Sequence, residues 1–195
     1  MNARPAVFLD RDGVLNELVP DLRTGAAESP LRVGDVSLLR GAAAAVAALQ
    51  RAGFATVCVS NQPAAAKGSV SLERLLAVHA RVLDLLAREG VRLSAWRLCP
   101  HHPDGVVRAL SMPCACRKPA PGMLFDAAAA LGLDLAASWM VGDTDADVGA
   151  GAAAGCRTVL VEHPGSAHKR LEAGAADLLA VDLRDAAMRA TRAVC

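Results

Sequence analysis

The sequence has no tyrosine, and aromatic residues make up only 3% of it. This argues against the stacking platforms that hold single-stranded nucleic acid. It also lacks an excess of either charge: 21 Lys and Arg stand against 20 Asp and Glu, a formal net charge of +1. That balance argues against a basic stripe for nucleic-acid backbones and against a charged tail. A long hydrophobic run is missing too. The longest stretch without a charge, Ala52–Ala66, has 15 residues and contains Ser60, Asn61, Gln62 and Pro63. Roughly 20 apolar residues are needed to cross a bilayer. Met1–Pro5 leads straight into an apolar run, without the hydrophobic segment of a secretory signal. The expectation is a cytoplasmic protein with reduced thiols, which takes no nucleic acid and no membrane as partner. The P-loop pattern is absent.

What is present reads as one compact α/β domain, residues 1–195, with 53% hydrophobic residues to fill its core. Short apolar runs end in polar residues: Ala6–Leu9, Thr56–Val59, Trp96–Leu98, Trp139–Val141 and Thr158–Val161. Such runs suit strands buried on both faces. Helical patterns alternate with them. Residues 40–51 close at Gly53, Ser71 opens a helix ending at Gly90, 121–131 precedes Gly132, 146–154 precedes Gly155, and 183–194 closes the chain. The alternation predicts a mostly parallel sheet with helices on both faces. Two segments fit no regular element, 17–36 and 100–121. Irregular stretches of about 20 residues in a compact domain are usually functional.

In such sheets ligands bind at the carboxyl ends of the strands. Asp10, Ser60 and Asp143 each stand at or just after such an end. Asp10 and Asp12 flank Arg11, and Gly13 follows. Two carboxylates joined by a third make an oxygen-rich site for a hard cation such as Mg²⁺. They also suit a divided task, one attacking as nucleophile and the other handling protons. Lys118, beside Arg117, would neutralise charge on a phosphoryl group. Ser60 would offer its hydroxyl and Asn61 its backbone N–H to the same group.

Six cysteines in a reducing compartment call for an explanation other than disulfides. Cys99-Pro100-His101 and Cys114-Ala115-Cys116 supply three thiols and an imidazole, a set suited to a closed tetrahedral Zn²⁺ site. His102 is the alternative imidazole. Cys58 and Cys156 sit within apolar patterns and are expected in the core, and terminal Cys195 is read as incidental.

Four segments occur in order: Phe8-Leu9-Asp10-Arg11-Asp12-Gly13-Val14-Leu15-Asn16, Ser60-Asn61-Gln62, Arg117-Lys118-Pro119 and Gly142-Asp143-Thr144-Asp145-Ala146-Asp147. Together they resemble the four motifs of the haloacid-dehalogenase-like phosphatases, over residues 6 to about 161. The resemblance implies a Rossmann-like fold, and the spacing leaves no room for a large cap domain. It implies that Asp10 is the nucleophile that forms an aspartyl-phosphate. Asp12 would protonate the leaving oxygen and then activate water. Mg²⁺ would be held by the Asp10 carboxylate, the Asp12 carbonyl and Asp143, with Asp147 as a supporting carboxylate. Ser60, Arg117 and Lys118 would hold the phosphoryl group, and Arg11, Asn61 and Gln62 would join Asp10 and Asp12 around the substrate.

Cys-Pro-His-His-Pro-x-Gly followed by Cys-x-Cys-Arg-Lys-Pro is similar to one branch of this superfamily. The branch comprises heptose 1,7-bisphosphate 7-phosphatases and histidinol-phosphate phosphatases. His-His-Pro-Asp-Gly and Pro121-Gly122-Met123 look more like the heptose enzymes, in which Cys99, His101, Cys114 and Cys116 would hold zinc. The resemblance thus implies release of the 7-phosphate of D-glycero-D-manno-heptose 1,7-bisphosphate. Histidinol-phosphate phosphatase, another small-molecule phosphomonoesterase or a non-enzymatic zinc module are the alternatives. The chain departs from the heptose pattern at Leu18–Arg23, which has no aromatic residue, at Pro63–Gly68 and at Thr144. The expected partner is a small phosphorylated substrate, and the expected state is a monomer.

Overall fold

The computed structural model describes residues 3–21, 24–171 and 176–192. Leu22, Arg23, Cys195 and the last residues expected in the final helix lie outside them. Six strands form one sheet, all pairs parallel, in the order β5-β4-β1-β6-β7-β8. They are β1 Arg4–Leu9, β4 Ala55–Asn61, β5 Ala95–Cys99, β6 Leu133–Gly142, β7 Arg157–Val161 and β8 Leu178–Ala180. A two-stranded antiparallel hairpin, β2 Val19–Pro20 with β3 Ala27–Glu28, rises from the loop after β1.

Alternation along β1 sorts the core. Val7 and Leu9 join one apolar cluster while Ala6 and Phe8 join the other. The first cluster includes Val46 and Leu49 of α1 (Ala42–Arg51), Val78, Val82 and Leu86 of α2 (Leu72–Arg88), and Ala186 and Ala190 of α5 (Leu183–Arg192). The second includes Leu124 and Ala127 of α3 (Gly122–Leu131) and Ala150 of α4 (Asp145–Ala153). Both faces of the sheet are therefore covered, which is why its strands carry continuous apolar runs. Cys58 and Cys156 are buried there as small apolar groups.

Local chemistry fixes the helix starts. Ser71 Oγ accepts from Arg74 N at 3.1 Å and opens α2. Thr144 and Asp147 form a capping box at the start of α4. Among the described residues no helix is long and apolar enough to cross a membrane. The segment expected to be irregular at 17–36 holds the β2–β3 hairpin, and β8 was not expected at all.

Candidate active site

The central strands β1, β4 and β6 end side by side and deliver Asp10, Ser60 and Asp143 to one edge. Asp10 N donates to Val141 O at 2.9 Å, which extends the β1–β6 pairing one residue beyond the strand. The chain then turns at Gly13, whose φ is +81°. A Cβ there would lie 2.3 Å from Asp143 Oδ2, so glycine is needed both for the turn and for the close approach of the carboxylate.

Lys118 reaches the same edge from the segment between β5 and α3. Its Nζ lies 2.9 Å from Asp10 Oδ1 and 2.5 Å from Asp147 Oδ1, and donates to Val59 O at 2.8 Å. Burial disfavours its charge, but Asp10 and Asp147 outweigh that and hold the ammonium protonated. Its backbone is clasped by Asn61: Asn61 Nδ2 donates to Lys118 O at 3.0 Å, and Lys118 N donates to Asn61 Oδ1 at 3.0 Å.

Asp12 is held differently. Arg11 Nε and Nη2 donate to its two oxygens at 3.1 and 2.9 Å, Asn16 Nδ2 donates at 2.9 Å, and Gln62 Nε2 donates at 2.6 Å. Burial pushes the Asp12 pKa up, yet Arg11 and these donors win and bring it below the usual carboxylate range. Asp10 and Asp143 move the other way. Burial raises both; at Asp10 Lys118 opposes while Asp147 and Asp12 add to the rise, and at Asp143 the charges of Asp10 and Asp147 add to it.

This donor set fits a hard cation. Ligand atoms of Asp10, Asp143 and Asp147 lie within 4.8 Å of one another. Asp143 Oδ1 is buried without a hydrogen-bond partner among the described residues. Buried carboxylates that repel one another and leave an oxygen unsatisfied are what a divalent cation relieves. Asp147 is already committed, since its Oδ1 takes Lys118 and its Oδ2 accepts from Thr144 N at 3.0 Å and Thr144 Oγ1 at 2.6 Å. That leaves Oδ2 of Asp10, whose Oδ1 takes Lys118, and the Asp143 carboxylate to face a cation.

A cleft of about 560 Å³ opens over these groups. Asp10, Asp12, Ser60, Asn61, Gln62, Arg117, Lys118 and Asp143 all line it. Leu18, Asp21, Thr24 and Glu28 of the hairpin form part of its wall, with Lys67 and Lys169. Arg11 does not reach the cleft with its side chain. It is fully buried against Asp12 and supports that carboxylate, so any part Arg11 takes in holding substrate would fall to its backbone. Another hollow, of about 580 Å³, lies by Trp96 and Arg97 and has no carboxylate, thiol or imidazole.

The Cys/His cluster stands beside the cleft. Cys116 Sγ lies 3.1 Å from Cys99 Sγ and 3.3 Å from Cys114 Sγ, and His101 Nδ1 lies 3.4 Å from Cys116 Sγ. Four N/S atoms this close suit a tetrahedral ion such as zinc. His101 is the imidazole of the set. His102 Nδ1 instead accepts from Asp104 N at 3.1 Å.

The sequence resemblance cast Asp147 as a supporting carboxylate without naming its partners, Lys118 and Thr144, and the sequence reading missed the Asn16 and Gln62 donors to Asp12. The Thr-x-x-Asp spacing of the capping box was the available signal for Asp147.

A family model described as HAD-hydrolase-like matches residues 115–186. A D-glycero-beta-D-manno-heptose-1,7-bisphosphate 7-phosphatase from Yersinia pestis is 38% identical over 181 residues, 93% of this chain and 92% of its own. One from Rhodopseudomonas palustris is 39% identical over 152 residues, 78% of this chain and 80% of its own. Among solved structures, the D,D-heptose 1,7-bisphosphate phosphatase of B. bronchiseptica, complexed with magnesium and phosphate, superposes with a TM-score of 0.79 at 31% identity. It covers 97% of this chain and 99% of its own. Identity at this level over nearly the full length, on a sheet that brings four separated motifs to one edge, places the chain in the D-glycero-beta-D-manno-heptose-1,7-bisphosphate 7-phosphatase family of HAD-like hydrolases.

Proposed function

We propose that the protein is a Mg²⁺-dependent phosphomonoesterase that removes the 7-phosphate of D-glycero-D-manno-heptose 1,7-bisphosphate. The observation that carries this reading is the meeting of Asp10, Asp12, Lys118 and Asp143 in one cleft, in a chain whose full-length relatives bear that name. Relatives named for the heptose substrate favour it over histidinol phosphate. One six-stranded sheet running from residue 4 to residue 180 supports reading the chain as one domain.

Asp10 Oδ1 accepts from Arg11 N at 2.7 Å and pairs with Lys118, which leaves Oδ2 for attack on phosphorus. As the new P–O bond forms, the ester P–O bond breaks, and Asp12 gives its proton to the leaving oxygen. An arriving phosphate dianion raises the proton affinity of Asp12, which prepares it for that step. In the second half, Asp12 takes a proton from the water that attacks phosphorus and frees Asp10. The charge that Arg11, Asn16 and Gln62 hold on Asp12 suits it to this base role. Ser60, Arg117 and Lys118 hold the phosphoryl oxygens, so catalysis rests on positioning and charge neutralisation. Asp10, the Asp12 carbonyl and Asp143 would hold Mg²⁺, which supplies further charge neutralisation on the phosphoryl group. Cys99, His101, Cys114 and Cys116 would hold Zn²⁺ and brace the segment that delivers Arg117 and Lys118.

The test is phosphate release from the heptose bisphosphate and from histidinol phosphate, with Mg²⁺, by the wild-type chain and by Asp10→Asn. The heptose substrate should win by orders of magnitude, and the variant should be folded and inactive. A fully active Asp10→Asn would overturn the mechanism. Preference for histidinol phosphate would overturn the substrate.

A further inference from the structure

Gln62 touches both the carboxylate that handles protons and the serine that holds phosphate. It directly follows β4, is only 1% exposed and lines the cleft. Its Nε2 donates to Asp12 Oδ2 at 2.6 Å and to Ser60 Oγ at 3.0 Å. Both hydrogens of that nitrogen are thereby used, one on each partner. The amide can stand only this way round. With its oxygen inward, an acceptor would face a charged carboxylate at 2.6 Å. The backbone of the residue is fixed as well, since Gln62 N donates to Cys99 O at 2.7 Å.

The three residues that donate to Asp12 are not equivalent. Arg11 and Asn16 are both 0% exposed, and of the three only Gln62 lines the cleft. Asp12 Oδ1 takes Arg11 Nε and Asn16 Nδ2, while Oδ2 takes Arg11 Nη2 and Gln62 Nε2. Arg11 and Asn16 thus hold the carboxylate from within the fold, and Gln62 holds it on the side where substrate enters. The leaving oxygen has to meet Asp12 from that side. On Ser60 the same amide has a second effect. The serine oxygen accepts from it, so the hydroxyl hydrogen points elsewhere, and Ser60 also lines the cleft. A phosphoryl oxygen there needs that hydrogen.

We propose that Gln62 is a positioning residue of the reaction, its amide aiming Asp12 Oδ2 at the leaving oxygen and turning the Ser60 hydroxyl toward the phosphoryl group. The proposal rests on the reading of Asp12 as the proton donor and of Ser60 as a phosphoryl ligand. It separates leaving groups. A sugar alkoxide cannot depart without a proton, so its release depends on how Asp12 is aimed. A nitrophenolate departs without one, so its release does not. A glutamine that only packed the end of β4 would make no such distinction.

The experiment measures kcat/KM on the heptose bisphosphate and on p-nitrophenyl phosphate for the wild-type chain, Gln62→Met, Gln62→Ala and Asp12→Asn. This ratio covers the steps up to transfer onto Asp10, before Asp12 serves as base. Because two leaving groups are compared on one site, the comparison holds for whichever alkyl phosphate the wild-type chain hydrolyses. Gln62→Met keeps the length of the side chain and removes its donors. It should lower kcat/KM on the sugar phosphate by about 30–100-fold, part of what a general acid supplies. The loss on p-nitrophenyl phosphate should be at least about tenfold smaller. Inorganic phosphate, as a competitive inhibitor, should bind about threefold more weakly. Equal losses on the two substrates, or none, would overturn the aiming of Asp12, and an unchanged phosphate inhibition constant would overturn the effect on Ser60. Asp12→Asn should show the same selectivity more strongly; if it shows none, the acid reading fails and takes the proposal with it. Should Gln62→Met fail to fold by circular dichroism, Gln62→Ala decides by the same ratios, and loss of the fold in both overturns the proposal in favour of a purely structural role.

Discussion

Single residues in this site do their work by charge placed out of water, and Lys118 shows it best. It is 3% exposed and sits between two carboxylates. Lys118→Met keeps the length of the side chain and removes the charge. Asp10 and Asp147 then face each other unneutralised, and breaking a buried pair in this way costs about 3–5 kcal/mol. Phosphate release should drop by about 10²–10³, the scale of losing one preorganised donor to the reacting group. Urea titration and initial rates check both, and activity within tenfold of wild type would contradict this reading of the lysine. His79 offers a pH test away from the cleft. Burial first and Arg11 next, with Asp12 opposing, bring its pKa down to about 4; its ring packs on Trp96 at 4.8 Å. The unfolded chain takes up the proton near pH 6.5 while the folded chain refuses it until about 4. Stability is therefore unaffected by His79 above pH 6.5 and falls as pH drops from 6.5 to 4, by about 3 kcal/mol. His79→Phe should flatten that part of the curve of urea midpoint against pH; an unchanged slope would rule His79 out as its source. Asp10, Ser60 and Asp143 were legible in the sequence because polar residues stop apolar strands. The burial of Arg11 and the double duty of Asp147 were not, because they depend on which way a side chain turns after the strand ends.

At the scale of elements, the segment from Cys99 to Lys118 joins the two metal questions. Gln62 N donates to Cys99 O at 2.7 Å, so the start of the loop is pinned to the end of β4. Its far end delivers Lys118, two residues after Cys116, into the Asn61 clasp. Cys99, His101, Cys114 and Cys116 gather between these points, with four N/S atoms close enough to share one ion. Metal analysis should therefore find about one zinc per chain. Removing it with a chelator, and then restoring Mg²⁺ in excess, should expose three reactive thiols and lower turnover at least tenfold. A zinc-free chain with full activity and unreactive thiols would remove the loop's bracing role. The short pairs and the spacing of this loop were readable because ligand chemistry is local in sequence. The β2–β3 hairpin and β8 were not readable. Each is only two or three residues long, too short to show alternation. The hairpin is held instead by distant contacts, such as Glu28 with Lys169 at 3.4 Å.

At the scale of the whole molecule, the parallel order of the sheet does what no motif does alone. It sets β1 between β4 and β6, so that residues 10, 60 and 143 meet although they are far apart in the chain. Strand–helix alternation announced that architecture, because continuous apolar runs need helices on both faces. The cost of the arrangement is a knot of buried like charge at the carboxyl edge. Asp10 and Asp143 both have raised pKa values, from burial first and from neighbouring carboxylates as well, Asp147 and Asp12 at Asp10, and Asp10 and Asp147 at Asp143, with Lys118 opposing. A fold that carries this repulsion is stabilised as a unit by the cation that relieves it. Mg²⁺ at one hundred times its Kd contributes about 2.7 kcal/mol of stability by mass action. In a domain of this size each kcal/mol moves Tm by roughly 2–4 °C. Mg²⁺ should therefore raise Tm by about 5–10 °C, measured by calorimetry at pH 7 with zinc retained. Asp143→Asn removes one of the carboxylates that would hold the cation, so that chain should gain little Tm from adding Mg²⁺. Equal Mg²⁺ shifts in both proteins would mean that the cation binds elsewhere, and that the acid cluster is neutralised by Lys118 and protons alone.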